Sequence, residues 1–129
     1  MIKGLLLGAT GMLGANLFLM SKSVEWIPTY FSSPMNISAA IGLNLTDGDE
    51  VKRIVYEILP DVIVHVAGVT KPDECERYPD ISYKVNVDGS INLIMAAKSI
   101  GARFIFLSSD LVFDGTKEDG YRETDSLNP

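Results

Sequence analysis

The stretch Ile2-Lys3-Gly4-Leu5-Leu6-Leu7-Gly8-Ala9-Thr10-Gly11-Met12-Leu13-Gly14 decides the fold. Ile2 to Leu7 is a short apolar run closed by glycine, the pattern of a strand buried on both faces of a parallel sheet. Met12, Leu13, Leu17, Phe18 and Met20 then fall at helical spacing between Gly11 and Lys22. Three glycines join the strand to the helix. Gly8 permits a tight turn, Gly11 has no Cβ and lets a ligand reach the backbone, and Gly14 lets helix and strand pack closely. The first N–H groups of that helix have no intrahelical acceptor and face an anion well. Gly8, Thr10, Gly11, Met12, Leu13 and Gly14 are therefore expected to cradle the pyrophosphate of a dinucleotide. Glycines serving packing alone are the alternative, and the strand–loop–helix context disfavours it.

Outward from this loop, strands and helices alternate. Val24 to Phe31 is a second strand, Ser32 to Asn36 a turn, and Ile41 to Leu45 a short third strand. Thr46 or Asp47 caps the next helix, with Glu50 as reciprocal partner if Asp47 is the cap. That helix carries Val51, Ile54, Val55 and Ile58 on one face and stops before Pro60. Asp61 to Val66 is a fourth strand, and Pro72 to Pro79 is a loop or short helix. Asp80 to Ile100 carries the longest helical pattern, closed by Gly101. Arg103 to Ser108 is a fifth strand. The order implies right-handed crossovers and an α/β, doubly wound parallel sheet of Rossmann type. The expected strand order is 3-2-1-4-5, with a ligand at the switch point between the first and fourth strands.

The composition suits one domain. The 129 residues are 47% hydrophobic and 22% charged, enough for a core without disulfides or metals. A net charge of −6 and the lack of a basic patch argue against nucleic acid as a partner. No stretch is long and apolar enough to span a bilayer, and no signal peptide is evident, so no membrane partner and a cytoplasmic location are expected. Cys75 is the only cysteine, in keeping with a reducing compartment.

An NAD site usually carries Asp or Glu after the second strand to bind the ribose hydroxyls. Here that stretch is Thr29-Tyr30-Phe31-Ser32-Ser33, without an acid or an arginine. Tyr30, Ser32 and Ser33 are the residues available to the ribose. The two hydroxyls can donate to a 2′-phosphate, which favours NADP(H) over NAD(H) by a narrow margin.

The three-residue glycine spacing, GxxGxxG, resembles that of extended short-chain dehydrogenases/reductases. Asp61 to Thr70 is similar to that family's fourth strand and small-residue turn. Asn86-Val87-Asp88-Gly89-Ser90-Ile91-Asn92-Leu93 is similar to its NVxGxxNL segment. Ser108-Ser109-Asp110-Leu111-Val112-Phe113-Asp114-Gly115-Thr116 resembles the S-[ST]-D-x-V-F-D-G run of dTDP-4-dehydrorhamnose reductases, the RmlD-like substrate-binding family. The related regulatory β subunits of methionine adenosyltransferase share that run, and Tyr121 to Pro129 is similar as well.

The resemblance implies cofactor contacts from Asn44 and Leu45 at the adenine, and from Val66, Ala67, Gly68, Asn86 and Ser108. It makes Ser109 the catalytic hydroxyl that meets the substrate carbonyl, where it stabilises the charge that hydride transfer builds on oxygen. Thr70, Lys71, Asp110 and Phe113 face the substrate, a nucleotide-linked 4-keto-6-deoxy sugar. Asn86 is expected to bind backbone and organise the site. A homodimer is compatible with the resemblance, and a sugar-nucleotide epimerase or dehydratase and a non-catalytic NADP-binding subunit are its alternatives. The family's Tyr-x-x-x-Lys pair is absent: Tyr30, Tyr56, Tyr78, Tyr83 and Tyr121 precede Pro34, Pro60, Ser82, Val87 and Asp125 by four residues. Residues 1–129 are thus expected to be the NAD(P)-binding domain of a longer reductase, stopping before that pair and the substrate lobe, and inactive alone. No metal site is expected. His65 is expected to be a core imidazole, and Asp73, Glu74 and Glu76 a solvated cluster.

Overall fold

The computed structural model describes residues 1–129. Five parallel strands run in the order β3-β2-β1-β4-β5, as the alternation of elements predicts. They are β1 (Ile2–Leu7), β2 (Val24–Tyr30), β3 (Ile41–Gly42), β4 (Val62–His65) and β5 (Arg103–Phe106). Central β1 pairs with β2 and β4, and Leu5, Leu6 and Leu7 are each fully buried, so both of its faces are covered. All five carboxyl ends lie along one edge.

Helix α1 (Met12–Met20) covers one face, where Leu17, Phe18 and Trp26 pack around Leu6, Ala9 and Val64. Helices α2 (Gly48–Ile58) and α5 (Gly89–Ile100) cover the other. There Val51, Ile54 and Val55 meet Leu93, Ala96 and Ala97 over Leu5, Leu7 and Ile63. Between β4 and α5 lie two short helices, α3 (Pro72–Arg77) and α4 (Pro79–Tyr83). At the outer strand β5, Ile105, Phe106 and Leu107 are about half exposed and one strand edge is unpaired. No helix is long and apolar enough to cross a membrane.

Several boundaries differ from the sequence expectation. The third strand is only Ile41–Gly42, because Leu43 and Leu45 turn into the core and Asn44 forms a side-chain turn. The helix expected over Asp80 to Ile100 is broken by a π segment at Lys84–Asp88, where the Gly89 N–H bonds back five residues to the Lys84 carbonyl. Such insertions leave little trace in hydrophobic periodicity. The second, fourth and fifth strands each end one or two residues early, at Tyr30, His65 and Phe106.

Asp47 is the cap of α2, its carboxylate accepting from the Glu50 N–H at 3.0 Å. Glu50 does not reciprocate to Asp47; its carboxylate accepts from the Asn44 N–H at 3.1 Å and ties the β3 exit to the helix. Asp47→Ala removes the acceptor and is expected to lower stability by about 1 kcal/mol. Urea denaturation of the variant against wild type measures the loss, and an unchanged midpoint would refute the capping role.

Candidate dinucleotide site at the carboxyl edge of the sheet

The three glycines have different physical reasons. Gly8 has φ +83°, and a Cβ there would stand 2.8 Å from the Ala67 backbone after β4. A Cβ on Gly14 would collide with the Gly8 carbonyl and lie 2.9 Å from the Ala9 Cα. Folding demands both glycines. Gly11 differs: its φ is −77°, it is exposed, and a Cβ would meet only the Gly8 carbonyl oxygen, at 3.3 Å. Packing constrains this position least of the three, and its backbone is open to solvent. Just beyond it, the N–H groups of Met12, Leu13 and Gly14 open α1 without acceptors, since no side chain caps the helix and the first ladder bond runs from Ala15 to Gly11. Thr10 is exposed beside them. A glycine-lined turn under free amides is an anion cradle, and the arrangement fits a pyrophosphate.

The neighbouring strand ends are laced to this loop. Ala9 N–H donates to the Thr29 carbonyl and Val66 N–H to the Leu7 carbonyl. Beyond β2, Ser32 and Ser33 are exposed as expected, but Tyr30 is not free: its ring packs over Gly42. Phe31, which the sequence offered only as the last residue of a strand, stands 72% exposed beside the two serines. The two residues expected at the adenine also make contacts within the chain. The Leu45 side chain is 8% exposed within the core and its carbonyl accepts from Asn92 Nδ2, which turns both inward. The Asn44 side-chain oxygen is held by the N–H and hydroxyl of Thr46.

The loop after β4 passes Val66, Ala67, Gly68, Val69 and Thr70 along the same edge. Asn86, presented by the π segment, grips Val69 twice. Its Oδ1 accepts from the Val69 N–H at 2.8 Å and its Nδ2 donates to the Val69 carbonyl at 2.9 Å. A Cβ on Gly68 would stand 2.9 Å from the Asn86 oxygen, so any larger residue there would push on the grip. Asn86 binds backbone as expected, and the backbone it binds is that of the loop after β4. Cys75 adds a weaker Sγ contact to the same carbonyl at 3.5 Å. Lys71 is paired with Glu74 at 3.0 Å on the exposed face of α3.

Ser108 and Ser109 follow β5, and both are exposed. Ser109 caps the 3₁₀ turn Asp110–Val112: its Oγ accepts from the Leu111 N–H and donates to Asp110, each at 3.2 Å. Phe113 is not an open substrate contact, because it stacks on Tyr121 with ring centroids 4.2 Å apart. Behind it, Asp114 accepts from Tyr121 OH at 2.5 Å, the Thr116 N–H and hydroxyl, and Asn128 Nδ2. These donors, the Tyr121 hydroxyl foremost, hold its carboxyl well below the usual carboxylate range. Asp125 is lowered too, mainly by Lys117. The knot organises residues 112–128 and leaves Ser109 and Asp110 outside it, at the exit of β5.

His65 is 1% exposed at the end of β4. It lies 5.4 Å from the Phe106 ring, and burial lowers its pKa to about 4.

The RmlD substrate binding domain family matches residues 2–129. Methionine adenosyltransferase 2 subunit beta of Bos taurus is 40% identical over 125 residues, covering 97% of this chain and 37% of that protein. Among solved structures, a hypothetical dTDP-4-dehydrorhamnose reductase from Sulfolobus tokodaii superposes with a TM-score of 0.89 at 35% identity, over 99% of this chain and 46% of its own. The Bacillus anthracis dTDP-4-dehydrorhamnose reductase in complex with NADP gives 0.86 at 28% identity, over 99% and 43%. The chain spans less than half the length of each of these proteins.

Above pH 6.5 His65 is neutral whether the chain is folded or unfolded. Between pH 6.5 and about 4 the unfolded chain takes up a proton that the folded one refuses. Stability is therefore expected to fall by about 3 kcal/mol across that window. His65→Gln should flatten this part of the stability–pH curve, measured by urea denaturation at each pH; an identical slope in the variant would show that His65 does not cause it.

Proposed function

The chain belongs to the RmlD substrate binding domain family, and on that footing we propose that it supplies the NADP(H)-binding portion of a reductase acting on a nucleotide-linked 4-keto-6-deoxy sugar. The carrying observation is Gly11, the glycine of the three that packing constrains least, set beneath three amides without acceptors. Met12, Leu13 and Gly14 donate to the pyrophosphate. Ser32 and Ser33 meet the 2′-phosphate, and Phe31 offers an aromatic face to the base. A nicotinamide held there would supply the hydride for the substrate carbonyl. Ser109 directs its hydroxyl at that carbonyl oxygen, exchanging its present acceptor Asp110 for the substrate, and so stabilises the developing charge. Val66 to Gly68, held through Asn86 and Val69, form the small-residue floor. Protonation of the product oxygen falls to a tyrosine with a lysine four residues on, a pair these 129 residues do not contain.

A second reading, an NADP-binding regulatory subunit, is favoured by the 40% identity to methionine adenosyltransferase 2 subunit beta. Turnover of a dTDP-4-keto sugar by the whole protein supports the reductase. Capture of a methionine adenosyltransferase catalytic subunit without turnover supports the subunit.

Titration by NADPH and NADH, followed by nicotinamide fluorescence, is expected to give tighter binding of NADPH. Gly11→Ala should keep most of the fold's stability, with a loss of about 1 kcal/mol or less, and weaken NADPH at least about tenfold by crowding the pyrophosphate. Equal affinity in the variant would remove the cradle from the site. NADH binding more tightly would reverse the cofactor assignment.

A further inference from the structure

A buried polar chain runs behind the loop after β4, and the proposed function gives it no task. His65 Nε2 lies 3.0 Å from Ser90 Oγ, and Ser90 Oγ donates to the Asn86 carbonyl at 2.6 Å. A hydroxyl has one proton and a carbonyl only accepts, so His65 Nε2 must be the donor to Ser90. This fixes the neutral ring as its Nε2–H tautomer. It also leaves Nδ1 buried with no hydrogen-bond partner. A ring placed for packing alone would not need a polar atom there, so the imidazole's value lies in the one bond it does make.

That bond reaches the π segment. The Ser90 hydroxyl spans four residues back to Asn86 across the widened turn at Lys84–Asp88, and Asn86 in turn holds both backbone groups of Val69. A regular helix would shift Asn86 by part of a turn and break the double grip, whose two bonds have their lengths set to within a few tenths of an ångström.

We propose that His65 and Ser90 are positioning residues: they keep the π segment in the register that holds Asn86 on Val69, and so set the loop Val66–Thr70 against which the nicotinamide end of the cofactor rests. The last clause rests on the dinucleotide reading above; the mechanical part does not. The role is not catalytic, since neither side chain faces a ligand.

Three variants test it: Ser90→Ala, His65→Phe, and His65→Gln, whose side-chain amide can still donate to Ser90. The first readout needs no ligand. Hydrogen exchange at the Val69 amide is compared with that at Leu6 and Ile63 in the sheet centre. Ser90→Ala and His65→Phe are expected to speed Val69 exchange about tenfold beyond any change at the two core amides, and His65→Gln to restore it. Val69 changing only in step with Leu6 and Ile63 overturns the proposal, because that is what general destabilisation does. Should Ser90→Ala not fold, the His65→Phe and His65→Gln comparison decides alone.

The second readout compares NADPH with 2′,5′-ADP, which lacks the nicotinamide. Ser90→Ala should weaken NADPH about fivefold and leave 2′,5′-ADP unchanged. Equal weakening of both overturns the link to the nicotinamide end. Failure of the wild-type protein to bind either ligand sinks the dinucleotide reading itself, while Val69 exchange still judges the relay.

Discussion

The structure depends on one close approach: the Gly8 backbone lies against Ala67 on one side and under Gly14 on the other. β1 is the middle strand, and its exit must turn within a space bounded by the β4 exit and the start of α1. No side chain fits in either direction. The turn therefore closes backbone on backbone, and the helix begins directly over the strand end with its first amides uncovered. The open amides proposed to cradle an anion follow from this packing rather than from any charged residue. An acidic chain with net charge −6 can thus still present a local site for an anion.

The second requirement is that the loop after β4 keep a fixed course, although it lies outside the sheet's ladder. Its backbone groups cannot be left unpaired. Val69 finds both partners in a single side chain, Asn86, which is carried on the locally widened turn of the helix. The cost of an irregular turn is offset where it brings a two-ended amide to a peptide needing both an acceptor and a donor. Gly68 is the corresponding gap in the loop, left open for the Asn86 oxygen.

Much of the fold was legible because its causes are local. The apolar run Ile2–Leu7, the α2 face of Val51, Ile54 and Val55, and Gly101 with its φ of +72° all announce themselves within a few residues. The glycine loop was legible for the same reason. What escaped depends on side chains meeting across longer gaps. Asn86 was legible as a backbone binder but its partner Val69, 17 residues away, was not, and the Asp114 knot draws donors from 2, 7 and 14 residues away. Tyr30 and Phe31 show the limit at finer scale. Adjacent aromatics at a strand end point to opposite sides, and the one that faces outward was fixed only by where Gly42 leaves room for a ring.

The unpaired edge of β5 has a consequence for the sheet. Its free N–H and C=O groups, flanked by half-exposed Ile105, Phe106 and Leu107, form a template onto which another extended segment can add. The strand's one charge is Arg103, at the amino end, so no charge of its own guards the carboxyl half. The edge is thus the place where the sheet can be extended, by a further strand of the same polypeptide or of another.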